Sequence, residues 1–392
     1  MTLTILNPHA DDFIAEPVSF RLVSRRALKK YSYLLSEQMN SPKKAQILID
    51  GTISSLIPEG IFSKLPNYIR HAVLKWEIKK WLELNNLTDE ISVHWSVDTI
   101  EDKSALYLFS YKNCTGDFDK RLSVIESFAL KVINLSHFMI RTSEKGRNAQ
   151  RIKNAIYVSE ANLSQNPFFE QYFGKQQKVI ALPFLVAERF KCLTPFADRL
   201  DKCAVTGSFH DLTRETPHKY YQDFIDFYKI DTYHPARKML YANKENLAQD
   251  FDCKVSPYRE NQNNIFKRLD LAQKKYFSFD IVDFYNQHKY ALVGEEIHGL
   301  SAVGAFEAMA CGCVLIAQKG SFYNGLDLEA GVHYVEHDGS LKSIRETMNW
   351  LRAYPEKSVE ISENAKKYVQ ENCHASVLWL TLNNKVEAYN KG

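Results

Sequence analysis

The stretch YALVGEEIHGLSAVGAFEAMACGCVLIAQ (290–318) carries the deciding pattern. It opens on a short apolar strand, YALVGEE (290–296), that ends in two carboxylates. A loop containing Gly299 leads into GLSAVGAFEAMACG (299–312), helical in period, with Gly312 placed to close it as a C-cap. CVLIAQ (313–318) is the next apolar strand. Strand, helix and strand in about thirty residues make a βαβ unit whose parallel strands are buried on both faces. Small residues crowd the helix start: Gly299, Ser301, Ala302, Gly304 and Ala305. They let an anionic group approach backbone N–H donors at the positive end of the helix dipole. Glu307 lies eight residues beyond Gly299.

The same alternation extends outward in both directions. Upstream, AQILIDG (45–51), EISVHWS (90–96), SALYLFSYK (104–112), NAIYVSE (154–160) and KVIALPFLV (178–186) read as strands. NYIRHAVLKWEIKKWLELNN (67–86) and RLSVIESFALKVI (121–133) read as helices. A second series starts at KCAVTGS (202–208), a strand running into Gly-Ser. HKYYQDFIDFYKI (218–230) is helix-like, DTYHPARK (231–238) a polar segment, and FDIVDFYNQHK (279–289) a helix. VHYVEHD (332–338) is a late strand, followed by three closing helices. Two β/α series joined near 181–201 imply an α/β chain of two doubly wound, Rossmann-like domains facing a cleft. The boundaries drawn are 1–190, 191–375, and a last helix, 376–392, that crosses back to the first domain.

Composition excludes other classes. The 392 residues carry 50 Lys+Arg against 47 Asp+Glu, so bulk charge gives no reason to expect a nucleic-acid partner. An apolar fraction of 45% excludes a disordered chain. Of the seven cysteines only Cys311 and Cys313 are close, which argues for reduced, buried thiols rather than a zinc site. No leader pattern and no span-length apolar run are read, so the chain is expected to be cytoplasmic. RLVSRRALKKYSY (21–33) puts five cations on one helical segment. It reads as a solvated face or as a foothold for anionic headgroups, which would make the protein peripheral at the inner membrane.

The run GLSAVGAFEAMACGCVLIAQ (299–318) resembles the signature of GT-B glycosyltransferases, and the resemblance extends over about residues 200–390. It implies a nucleotide-sugar site built from Glu296, His298, Gly299, Ser301 and Glu307, with Glu307 binding the donor ribose. The usual basic pair of the group 1 retaining enzymes is not matched: only Lys267-Arg268 or Lys274-Lys275 stand in that region. Instead IDTYHPARK (230–238), with His234-Pro235, is similar to transferases that use CMP-activated acidic sugars, the sialyl- and Kdo-transferases. That resemblance places His234, Arg237 and Lys238 on the donor phosphate. It likens Asp231 to the nucleophile of bacterial retaining β-Kdo transferases, and Glu160 to their acceptor-side carboxylate. Retention by double displacement needs such a nucleophile and a separate acid/base. The bland alternatives are a turn Asp bonding its own backbone and a solvated strand end.

Other motifs are weaker. Asp117-Phe118-Asp119 spells the D-x-D of metal-dependent transferases but precedes a helix, where a capping cluster is expected. Asp11-Asp12 has the same weakness. No P-loop and no G-x-G-x-x-G occurs. The resulting expectation is a metal-independent β-Kdo transferase acting from CMP-Kdo on a glycan or lipid-linked glycan in surface polysaccharide assembly, with no cofactor beyond the donor and no nucleic-acid partner. The chain could also be one module of a larger synthase. Alternatives are a retaining UDP- or GDP-sugar transferase, a nucleotide-sugar epimerase of the same fold, and a non-catalytic binding module.

Overall fold

A seven-stranded sheet in the order β3-β2-β1-β4-β5-β6-β7 organises the first half of the computed structural model. The structure describes residues 3–6, 45–49, scattered positions between 66 and 89, and 91–391 apart from 109–110, 117, 136–137, 213–220, 233, 258–278 and 298. The strands are β1 (Leu3–Leu6), β2 (Ala45–Leu48), β3 (Ile91–His94), β4 (Ala105–Leu108), β5 (Leu130–Asn134), β6 (Ala155–Ser159) and β7 (Val179–Ala181). The pairs from β3 to β6 are parallel. β4 is buried along its whole length, as a sheet covered on both faces requires.

The second half holds a five-stranded sheet in the order β12-β11-β10-β8-β9, also parallel. Its strands are β8 (Leu200–Phe209), β9 (Phe251–Pro257), β10 (His288–Leu292), β11 (Val314–Gln318) and β12 (Tyr334–His337). In each sheet the chain adds strands on one side of the first strand, then returns to its other side. The switch points therefore lie between β1 and β4, and between β8 and β10. The crevices outside the carboxyl ends of these pairs are where open α/β sheets take ligands.

Unit 1 comprises Met1–Ser159, Phe169–Ile180 and Trp379–Gly392; unit 2 comprises Glu160–Phe168 and Ala181–Leu378. The helices used below are α1 (Phe118–Glu126), α2 (Thr142–Ala149), α3 (Pro167–Phe173), α4 (Gln222–Tyr228), α5 (Pro235–Ala242) and α6 (Lys244–Leu247). They continue with α7 (Ile281–Asn286), α8 (Val303–Ala310), α9 (Leu341–Ala353), α10 (Pro355–Asn372) and α11 (Ala375–Lys391). Among the described residues no helix is long and apolar enough to cross a membrane.

Two expectations from the sequence are corrected. Residues 121–133 are not one helix: α1 ends at Glu126, and Leu130–Asn134 is β5. The Ser127 hydroxyl donates to Val124 O at 2.6 Å and helps end the helix, after which LKVIN extends. The polar segment 231–238 is half helix, because Pro235 with its fixed φ stands at the first position of α5. In contrast, Gly312 does close α8. It adopts φ 81°, its N–H donates to Met309 O at 2.9 Å, and Cys313 N–H donates to Ala308 O at 3.0 Å. That pair of bonds is a Schellman ending.

The basic segment 21–33, Asp11-Asp12, Asp117 and both basic pairs at 267–275 fall outside the described residues. Asp119 is paired with Arg151 at 2.6 Å.

Candidate active site

The switch point of unit 2 is built around one arginine. Arg237 stands on the first turn of α5 and is buried. Its Nε donates to Val293 O at 2.7 Å, just past β10, and its Nη1 to Ser208 O at 2.8 Å, near the end of β8. The side chain lies over two glycines. A methyl group at Gly207 would sit 2.7 Å from Arg237 Nε, and one at Gly294 would sit 2.8 Å from Arg237 Cγ. Both glycines have positive φ, 128° and 68°, which side chains rarely adopt. The Gly-Ser after KCAVT and the Gly-Glu-Glu after YALV are thus a platform for the guanidinium.

His234 caps the same helix, and its backbone N–H donates to Thr232 Oγ1 at 3.1 Å. Its Nε2 is 3.5 Å from Glu296 Oε1, and its ring stacks on His210 with centroids 6.3 Å apart. Burial, together with the Arg237 charge, pushes His234 down to about 3. At neutral pH it is therefore an uncharged imidazole. The cations beside it are Arg237 and Lys238.

Asp231 lies in the loop between α4 and α5, where its carbonyl accepts from Leu212 N–H at 2.8 Å. Its carboxylate is ion-paired with Lys238 Nζ, both side chains being partly exposed. One loop and one helix turn therefore carry Asp231, His234, Arg237 and Lys238.

Across the crevice the segment after β10 is fixed from two directions. Glu295 is buried, accepts from Tyr323 OH at 2.9 Å and from Gln318 N–H at 3.2 Å, and is raised by that burial. Glu296 closes a tight turn: its N–H donates to Leu300 O at 2.9 Å, and Gly299 N–H donates to Glu296 O at 3.1 Å. Gly299 has φ 86°. His298 lies outside the described residues. Beyond the turn, Ser301 precedes Ala302, the N-cap of α8. The Ser301 hydroxyl is buried and finds no hydrogen-bond partner among the described residues. Glu307 is the single charged residue of α8 and is buried within it.

Glu160 is placed differently from expectation. It directly follows β6, yet Glu160–Phe168 belongs to unit 2, not to the acceptor-side domain assigned from sequence. Packing explains this. Phe168 is buried among Phe224, Phe227 and Tyr228, with centroids 5.9, 5.2 and 5.3 Å away. Asn162 N–H donates to Asn324 O at 2.9 Å. The Asn166 side chain hydrogen-bonds Tyr228, and a methyl at Gly299 would lie 2.8 Å from Asn166 Nδ2. The segment is a strap tying α4 to the Glu296–Leu300 turn.

Sequence reasoning missed Gly207, His210, Gly294 and Glu295. The signal for the two glycines was present, since each directly follows a short run of strand-forming residues, CAVT and YALV. Among the described residues no three His, Cys, Asp or Glu side chains gather as metal ligands.

Solved structures share this architecture along their full length. Sucrose-phosphate synthase from Thermosynechococcus elongatus superposes with a TM-score of 0.53 at 10% identity, covering 100% of both chains. The Anabaena protein HepE, solved with UDP and glucose, gives 0.53 at 12% identity, covering 99% of this chain and 100% of its own. The fold is that of the GT-B glycosyltransferases. A glycosyltransferase from Rickettsia africae adds a TM-score of 0.54 at 12% identity, over 100% of this chain and 99% of that one. Residues 222–383, from α4 into α11, match the model of glycosyl transferase family 90. No curated protein matches the chain significantly by sequence.

Proposed function

We propose that this GT-B chain is a glycosyltransferase that moves a sugar from a nucleotide-activated donor to a glycan acceptor. The observation that carries the reading is the Arg237 platform at the switch point of unit 2, facing a turn with a buried, unpartnered Ser301 hydroxyl at a helix start. Arg237 is preorganised on two carbonyls, so its charge needs no reorganisation when a diphosphate or monophosphate leaves. Ser301 and the start of α8 supply donors to the same anion. Glu307 is assigned to the ribose of the donor.

For the finer chemistry we propose the β-Kdo reading, with CMP as leaving group and no metal requirement. Asp231 attacks the anomeric carbon while the bond to the phosphate oxygen breaks and CMP leaves with the electron pair. The acceptor hydroxyl then attacks the same carbon, the Asp231 ester bond breaks, and the hydroxyl proton passes to Glu160 on the strap. Lys238, ion-paired with Asp231, holds that carboxylate in place for the attack. His234, neutral and next to Glu296, acts as a positioning hydrogen-bond partner rather than a charge. A UDP-sugar donor is the second reading, prompted by the UDP in the Anabaena HepE crystals.

A binding panel of CMP, UDP and GDP, read as thermal stabilisation, tests the donor, because a ligand that binds only the native state raises its stability. Stabilisation by CMP alone supports the first reading and by UDP alone the second; no nucleotide effect overturns both. Intact-mass spectrometry after incubation with CMP-Kdo tests the glycosyl-enzyme on Asp231.

A further inference from the structure

The segment leading into β8 brings sulfurs from two parts of the chain onto one cation. Cys192 is exposed, whereas Cys114, Cys203, Cys311, Cys313 and Cys373 are buried and Cys253 is half-buried. The Cys192 Sγ accepts from Arg199 Nη2 at 3.1 Å and lies 3.5 Å from Thr194 O. It rests over the bare backbone of Gly312, where a methyl group would sit 3.3 Å from that sulfur. The φ of 81° in the turn that closes α8 favours a glycine there in any case. Cys311-Gly312-Cys313 therefore comes up to Cys192 with no side chain in between.

Arg199 fixes this arrangement and is 5% exposed. Its Nε and Nη2 donate to Thr194 O at 3.0 and 2.7 Å, and its Nη2 also donates to Cys311 O at 2.8 Å. Its Nη1 lies 3.4 Å from His288 O. The same guanidinium hydrogen-bonds the Cys313 side chain. Cys313 Sγ is held from its other side by Tyr285 O at 3.2 Å and His288 O at 3.5 Å. Among the described residues the partners of Arg199 are carbonyls and thiols, so the sulfurs are the groups it touches that can become anionic.

Thiols are oxidised as thiolates, and redox-reactive cysteines sit exposed beside a cation with a second thiol in reach. Buried thiols without that setting are inert. Burial pushes the Cys313 thiol up to about 12, so it is not the first to react.

We propose that Cys192 is an oxidation site for hydroperoxides and that Cys313 resolves it as an intramolecular disulfide. The Cys192 sulfur attacks one peroxide oxygen and the O–O bond breaks. The leaving hydroxide takes the proton released by Cys192 and departs as water, and a sulfenic acid remains. The Cys313 sulfur then attacks the Cys192 sulfur, the S–O bond breaks, and hydroxide leaves with the Cys313 proton as a second water. One peroxide is reduced and two thiols are oxidised. Both cysteines belong to unit 2, and the inference does not rest on the glycosyltransferase reading.

The test is mass-spectrometric peptide mapping of the full chain after treatment with hydrogen peroxide, with dimedone in a parallel sample to trap sulfenic acid. The folded chain should lose two hydrogens, and its non-reduced digest should contain a peptide pair joined through Cys192 and Cys313. Cys313→Ser should halt at the first step, with dimedone on Cys192. Cys192→Ser should slow the loss of thiols about tenfold or more, because the other thiols are less accessible. Unfolding in urea before oxidation should remove the preference for this pair, since Arg199 no longer gathers the two sulfurs. A disulfide that omits either residue, modification of a buried cysteine ahead of Cys192, or unchanged thiol loss in Cys192→Ser overturns the proposal. So does the same pairing, formed equally fast, in urea. A Cys192 sulfenic acid that persists in the unsubstituted chain removes Cys313 from its role. If Cys313→Ser does not fold, the peptide pair of the unsubstituted chain decides alone.

Discussion

The two switch points use arginine and lysine in opposite ways. In unit 2, Arg237 is stretched between Val293 O and Ser208 O over two glycines, so its position is set by backbone before any ligand arrives. In unit 1, Arg121 and Lys145 rise from helix first turns around one loop, and burial weakens the charge of Lys145. A cation fixed by backbone suits charge that develops during reaction, because no reorganisation is needed at that moment. Charge that develops during reaction is thus expected at the switch point of unit 2.

The largest expected effect tests that expectation directly. Asp231→Asn should cut turnover about a thousandfold, about 4 kcal/mol of barrier, while nucleotide affinity stays near wild type. Initial rates and nucleotide titration of one preparation check both halves. Near-normal turnover would remove chemistry from the Asp231 loop and erase the contrast.

Next comes Arg237→Ala, which removes the hydrogen bonds to Val293 O and Ser208 O and leaves a gap over Gly207 and Gly294. It should lower folding stability by about 2–4 kcal/mol in urea titration, the scale of a broken buried hydrogen-bonded cation. Lys145→Met, by contrast, should remove a pH-dependent penalty. The folded state holds Lys145 below its unfolded value, so the unfolded chain binds more protons and the penalty fades as pH climbs toward 10.5. If both variants lose stability alike, the two crevices are built alike.

Glu307→Ala should weaken donor binding by roughly 1–3 kcal/mol without unfolding the chain. Unchanged affinity would move the ribose elsewhere.

A smaller effect follows from His234 and His337, which burial pushes down to about 3 and about 4. Both bind fewer protons folded than unfolded, so their contribution to stability should be flat above pH 6.5 and fall below it, each by about 1 kcal/mol per pH unit. Urea midpoints at pH 7 and pH 5 should separate wild type from His234→Gln, with the variant losing less.

How much of this could be read from the chain depended on whether the signal was local. The α8 start and its Gly312 ending were legible because cap and small-residue chemistry is written in consecutive residues. The βαβ order was legible from apolar runs. β9 went unread, because FDCKVSP mixes two charges and a proline into its seven residues and gains its identity from pairing with β8. The role of Gly207 and Gly294 was hidden because the residue that demands them, Arg237, comes from another element. Glu160 was assigned to the wrong unit for a similar reason: only Phe168 packing on α4 reveals where the strap belongs.

The smallest prediction discriminates most finely between the two switch points, because near each stands a small polar side chain with a buried atom that lacks a hydrogen-bond partner among the described residues. Ser301 Oγ is such an atom in unit 2, and Asn113 Oδ1 in unit 1. Burying an unsatisfied group costs stability, so its removal should be neutral or favourable unless the side chain does something else. Among the described residues the Ser301 hydroxyl has no hydrogen bond to lose, and alanine fits the space. Ser301→Ala should therefore leave ligand-free stability unchanged or raise it by up to about 1 kcal/mol, and weaken nucleotide binding by about 0.5–1.5 kcal/mol. Asn113 differs because its Nδ2 also holds Leu6 O across the switch point. Asn113→Leu should thus lower ligand-free stability by about 1–2 kcal/mol, since it strands a buried carbonyl. Urea titration of both variants, beside nucleotide titration of the first, reads out opposite signs from two similar orphans. A Ser301→Ala that loses stability and keeps full nucleotide affinity would make Ser301 a packing residue, and the α8 start would no longer be a place for the donor phosphate.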